Sequence, residues 1–151
     1  MLDSVKPCRS EASDVSCQVM DGVDGIILGS VTSNGISPIL AVNTLAKICA
    51  ESERCIDYKA TFNDIRLYTT APLGTSEAIA SSSVSTVLDL NIDLIITVTD
   101  TGSIARLVSK YRPPVPILAC SVVNSVIKHL QVIKGVWGYK IPTYQNSDNV
   151  V

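Results

Sequence analysis

Residues 67–120 read LYTTAPLGTSEAIASSSVSTVLDLNIDLIITVTDTGSIARLVSKYRPPVPILAC, and their pattern decides the fold. The order is helix, strand, glycine loop, helix, strand. A helix is expected from Thr75, whose hydroxyl can accept a free backbone N–H, with Glu77 against the positive end of the dipole. Ala80, Val84, Val87 and Leu88 then fall at i, i+4, i+7 and i+8, which is one helical face. Asn91 supplies a left-handed stop after Leu90. Residues 94–99, LIITVT, are too short for a helix and apolar on both faces, as in a buried parallel strand. Asp100-Thr101-Gly102 turns the chain, and Ser103 is placed to cap a second helix with Ile104, Leu107, Val108 and Tyr111 on its inner side. Pro113-Pro114 ends that helix, and residues 115–119 form the next strand. A strand, a helix and a strand at this spacing specify a crossover in a parallel sheet.

Further along, residues 124–130 make a helix with Val126, Ile127 and Leu130 inward. Gly135 precedes a third parallel strand over 136–141, and the remainder, 142–151, is polar and reads as unfinished. Upstream, the composition turns polar in ERCIDYKATFNDIR (residues 53–66), which marks a domain boundary and divides the chain into 1–60 and 61–151. After a short lead over 1–5, residues 10–20 form a helix with Glu11 near its positive end and Ala12, Val15 and Val19 buried. Asp21-Gly22 stops it, and Ile26-Ile27-Leu28 is a short buried strand. The loop 29–35 follows. Ser37-Pro38 then opens a helix whose inner side is Ile39, Val42, Leu45, Ala46 and Cys49, with Lys47, Glu51 and Glu53 toward water.

Composition narrows the function classes. With 46% hydrophobic and 17% charged residues the chain is globular. A net charge of −2 leaves no basic footprint for nucleic acid or anionic lipid. No apolar run approaches the roughly 20 residues of a membrane span, and Met1-Leu2-Asp3-Ser4 does not open a signal peptide. The five cysteines are odd in number and form no C-x-x-C pair, which fits free thiols in a reducing cytoplasm. Cys17, Cys49 and Cys120 lie on apolar faces and read as small core residues. His129 is the single histidine and stands beside Lys128, which gives no zinc spacing and no nucleophile–base pair. Trp137 is expected to pack on the sheet, and Lys110-Tyr111-Arg112 to favour the negative pole of its helix.

One loop carries candidate chemistry. Thr99, Asp100, Thr101, Gly102 and Ser103 sit at the carboxyl end of a strand and the amino end of a helix, where backbone N–H groups and hydroxyls can stabilise an anion. By spacing alone the same residues read first as a tight turn with a helix cap, a routine feature of α/β folds. The 29–35 loop, GSVTSNG, is no Walker A loop, because no Lys-Ser/Thr pair follows where one is needed.

TAPLGTSEAIASSSVSTVLDL (residues 70–90) followed by TDTGSIARLVSKYRPPVPILA (99–119) resembles the C-terminal domain of pyruvate kinase. KPCRSEASDVSCQVMDGVDGIIL (6–28) resembles that family's P-T-R-A-E-x-S-D-V-A-N-A-V-x-D-G-x-D segment, in the same order. The fold this resemblance implies is α/β: a parallel-sheet, three-layer sandwich of the pyruvate kinase C-terminal type. The last helix–strand–helix of a β/α barrel precedes it. A full barrel takes roughly 250 residues, so the resemblance implies that the catalytic barrel is absent from this chain. The family's lysine, acidic magnesium pair, phosphate-binding arginine and potassium site lie upstream of what corresponds to Met1. Magnesium, potassium, ADP and phosphoenolpyruvate are thereby implied for the full-length enzyme, and no catalytic residue for this chain.

In members regulated by a sugar bisphosphate, a loop of pattern T-x-[ST]-G-x-[ST] grips one phosphate. Thr99, Thr101 and Gly102 match it, Ile104 stands at the last hydroxyl position, and the partner loop lies beyond Val151 in the family. Residues 29–35 align with the family's S-G-E-T-A-K-G, with Val31 at the acidic position and Asn34 at the lysine. The resemblance thus implies a cytoplasmic, homo-oligomeric glycolytic phosphotransferase to whose regulation and assembly this part contributes. A catalytically silent effector-binding or interaction module derived from that enzyme is the other reading.

Overall fold

The computed structural model describes Met1 and residues 6–144, so the expectations for 2–5 and for the tail beyond 144 lie outside the described residues. The chain divides into two compact units, Met1–Asp57 and Tyr58–Val151.

The first unit contains α1 (Arg9–Met20), α2 (Ser30–Ser33) and α3 (Pro38–Glu53). Glu11 accepts the Cys8 N–H at 2.8 Å, which ties the start of α1. Pro38 opens α3, where its missing N–H costs nothing. Several expectations fail here. Ile26-Ile27-Leu28 forms no strand, since a strand is stable only against a ladder partner and none exists among the described residues of the unit. The loop 29–35 instead winds into the single turn of α2. The inner face of α3 is also rotated from the one expected: Ala41 and Ser52 are buried, whereas Ile39 is 77% and Val42 46% exposed. Apolar residues surround so much of α3 that periodicity alone selects no side. Cys17 is exposed and Cys49 half-buried, so neither is the core residue expected.

The second unit opens with α4 (Tyr58–Tyr68), in the polar stretch read as a boundary. Its order continues α5 (Thr75–Leu90), β1 (Ile95–Val98), α6 (Ser103–Lys110), β2 (Ile117–Ser121), α7 (Asn124–Leu130) and β3 (Val136–Lys140). The α/β class is as expected: one sheet of order β1-β2-β3, with both pairings parallel. Asn91 ends α5 in the left-handed conformation at φ 51°, a geometry asparagine tolerates. Thr75 is the first helical residue and Gly74 occupies the cap position, so the expected hydroxyl cap is not made.

The core lies between α4, α5, α6, α7 and one face of the sheet. Phe62, Ala80, Val84, Ala105, Val108, Tyr111, Ile117, Ala119, Leu130 and Val136 form it. The Phe62 and Tyr111 rings meet at 5.8 Å and 56°, a tilted contact worth about 0.5–1.5 kcal/mol beyond its buried area. α7 approaches β3 so closely that a Cβ on Gly138 would stand 2.6 Å from Ile127 Cγ2 and 2.9 Å from the Ile127 carbonyl oxygen.

Strand side chains alternate, so the other face carries the rows Ile96-Leu118-Trp137 and Val98-Cys120-Tyr139. Ile96, Val98, Trp137 and Tyr139 are each more than half exposed. β1 is therefore not buried on both sides, and Trp137 does not pack as expected.

Candidate anion-binding loop

The loop is built at the carboxyl end of β1. Gly102 adopts φ 82°, ψ 1° and precedes α6 as its cap residue. A Cβ there would meet Leu130 Cδ2 at 3.0 Å and Val126 Cγ1 at 3.3 Å, so both the backbone angle and the space require glycine. Ser103, expected as the cap, is the first residue of the helix.

The sequence-selected residues divide into two groups. Thr99 is 7% exposed. Its Oγ1 accepts the Gly102 N–H at 2.9 Å, and its own N–H donates to the Cys120 carbonyl at 3.0 Å. Thr99 and Gly102 thus hold the loop's shape. Thr101 and Ser103 are exposed, and their hydroxyls bond each other at 3.1 Å. They are the ones an anion could reach. Beside them the first intrahelical bond runs from the Arg106 N–H to the Gly102 carbonyl, so the N–H groups of the preceding turn have no carbonyl within the helix.

Two features oppose an anion. Ile104 packs against the core and has no donor to offer. Asp100 is exposed and places a carboxylate in the same loop, where like charges repel.

Sequence reasoning missed Tyr144. Its hydroxyl donates to the Thr99 carbonyl at 3.1 Å and accepts the Val122 N–H at 3.3 Å. No local signal could have found it, since it stands 45 residues beyond Thr99.

The remaining candidates stay apart from this loop. Lys110 pairs with Glu77 across α6 and α5, and the Tyr111 hydroxyl donates to the same carboxylate at 3.3 Å. The hydrogen bond from Lys110 holds the Glu77 pKa below its ordinary value. His129 is exposed on α7. In α2 the Thr32 hydroxyl donates to the Gly29 carbonyl at 2.9 Å, a bond inside its own turn.

Among the described residues no three His, Cys, Asp or Glu side chains converge on one point, and the 29–35 segment carries Val31 and Asn34 in place of charges. No described helix is long and apolar enough to cross a membrane.

Comparison with known proteins agrees with this architecture. The family model described as "Pyruvate kinase, alpha/beta domain" matches residues 77–151. The chain is 42% identical over its whole length to pyruvate kinase of Eimeria tenella, covering 28% of that protein. It is 40% identical to pyruvate kinase of Dictyostelium discoideum, covering 30% of it. Among solved structures, a pyruvate kinase from Cryptosporidium parvum superposes with a TM-score of 0.91 at 40% identity, over 97% of this chain and 30% of that one. A Cryptosporidium parvum pyruvate kinase in complex with ADP superposes with a TM-score of 0.83 at 41% identity, over 94% of this chain and 28% of that one. The chain spans under a third of the length of these relatives. Its three-stranded parallel sheet, its glycine loop and these alignments lead to one conclusion: the chain belongs to the pyruvate kinase family and corresponds to the C-terminal part of its members.

Proposed function

We propose that the chain serves a glycolytic pyruvate kinase, which converts phosphoenolpyruvate and ADP to pyruvate and ATP, in regulation and subunit assembly, and performs no chemistry alone. The observation that carries this reading is the loop before α6. There a left-handed Gly102, the exposed hydroxyls of Thr101 and Ser103, and the N–H groups of the first turn of α6 meet at the end of β1, with the Ser103 N–H resting on the Thr101 hydroxyl at 3.5 Å. That arrangement suits one phosphate group of a sugar-phosphate effector. With Ile104 and Asp100 opposing it, affinity falls near the millimolar range, about 4 kcal/mol. The relatives named as cytosolic isozymes in Arabidopsis thaliana and Nicotiana tabacum support a cytoplasmic location. The exposed sheet face supports a homo-oligomer.

Titration with inorganic phosphate and with a sugar bisphosphate, followed through the amide signals of residues 99–104, tests the binding half. Saturable shifts confined to that segment are expected, and their absence in both titrations refutes it. The catalytic half is tested by supplying phosphoenolpyruvate, ADP, magnesium and potassium to the purified chain. Pyruvate formed in proportion to protein would overturn it.

A further inference from the structure

The segment after β3 returns over the carboxyl ends of β1 and β2. The Ile141 N–H donates to the Ser121 carbonyl at 3.1 Å, which carries the chain one residue past the end of the β2–β3 ladder. Three residues later the Tyr144 hydroxyl makes both bonds described above, one to the loop after β1 and one to the loop after β2. Two loops that are otherwise separate in sequence share a single phenol oxygen. The β1 side of this junction is not incidental. The residue whose carbonyl accepts from Tyr144 is Thr99, and the hydroxyl of that same residue accepts the Gly102 N–H. On the β2 side, the Ser121 hydroxyl accepts the Val123 N–H at 3.2 Å, so the loop into α7 is braced from below as well.

We propose that Tyr144 is a latch: a positioning residue that locks the 99–103 loop in the conformation presenting the start of α6, and that couples this loop to the 121–124 loop. Releasing the phenol frees the Thr99 carbonyl and the Val122 N–H together. Thr99, on which the Gly102 N–H rests, then keeps only its N–H bond to the Cys120 carbonyl as a backbone anchor at the end of β1. Tyr144 is 45% exposed, so its ring can swing into solvent without breaking the core. The part of the proposal that concerns ligand binding rests on reading the 99–103 loop as the phosphate site. The coupling of the two loops does not.

Tyr144→Phe keeps the ring and removes only the shared oxygen. Ser83→Ala serves as the control, since it removes a hydroxyl bond on α5, where Ser83 donates to the Ile79 carbonyl at 2.8 Å. Amide hydrogen exchange is measured on the full chain, and each protein is then titrated with inorganic phosphate. In Tyr144→Phe, exchange at Val122 and Gly102 is expected to rise while Ile117 and Ala119 in β2 keep their rates. Phosphate should bind about two- to tenfold more weakly, the share of one ordinary hydrogen bond. Ser83→Ala should change none of these readings. Unchanged exchange at Val122 and Gly102 overturns the latch. A rise at Val122 alone overturns the coupling, and so does tighter phosphate binding, which would make Tyr144 a plug. If exchange rises at both positions and phosphate binds neither protein, the latch stands and the phosphate reading falls.

Discussion

Replacing Gly102 with alanine tests the loop where backbone and packing constraints coincide. At φ 82° any residue with a Cβ incurs a conformational penalty, about 1–2 kcal/mol. The added carbon would also stand 3.0 Å from Leu130 Cδ2 and 3.3 Å from Leu130 Cγ. Leu130 is fully buried and cannot swing away. Pushing a methyl group into a packed site of that kind costs about 1–3 kcal/mol. The two terms together predict a loss of about 2–5 kcal/mol, a large share of the stability of an ordinary domain. Gly135 separates the terms, because it has φ 74° and a Cβ placed on it would find nothing within 4 Å. Gly135→Ala therefore carries the backbone penalty alone, about 1–2 kcal/mol. Urea unfolding followed through amide signals of β2 and β3 reports the second unit by itself. If Gly102→Ala costs no more than Gly135→Ala, Leu130 and Val126 do not crowd the site and the packing argument is wrong.

Other outcomes follow from the same structure. Gly138→Ala should force α7 from β3, because its Cβ would meet Ile127 backbone as well as side chain; a shift of the α7 amide signals checks it, and an unchanged spectrum counts against it. Thr97 is 7% exposed and its hydroxyl finds no partner among the described residues, so Thr97→Val should stabilise the unit by about 1 kcal/mol, measured by the same unfolding. Glu77 has its pKa lowered from 4.5 by the Lys110 hydrogen bond, so its contribution is present above pH 4.5 and is lost as pH falls through the lowered value. The stability difference between the wild type and Glu77→Gln should accordingly shrink in acid, and a difference independent of pH would refute the pairing. Ile96 and Val98 are 62% and 63% exposed on the open sheet face; changing both to threonine should reduce concentration-dependent association in sedimentation velocity.

What the sequence determined by itself is whatever short-range chemistry can specify. The α5 helix, its stop at Asn91, the glycine turn at 102 and the three parallel strands all rest on periodicity and on residues that tolerate a left-handed backbone. Such features were legible because each is enforced within a few residues of itself. The loop residues were legible too, but their roles were not. That Thr99 faces inward to hold Gly102, while Thr101 and Ser103 remain outside, depends on how β1 meets β2 and α6.

Tertiary structure decided the rest. Ile26-Ile27-Leu28 has the composition of a strand yet forms none, since a strand is defined by its neighbour. The polar stretch at 53–66 hid α4 because only two of its apolar side chains, the buried Phe62 and the partly buried Ile65, pack on the core. Ile96 and Trp137 are hydrophobic and exposed, which no pattern of their own can reveal. Gly138 looks like an ordinary strand glycine until α7 is found against it, and Tyr144 like a tail residue until two loops are found on its oxygen. For α4, Gly138 and Tyr144 the deciding partner lies on another element, and only folding brings it within reach of a hydrogen bond or a van der Waals contact; for Ile26-Ile27-Leu28 and for the open sheet face it is the lack of a neighbour among the described residues that decides.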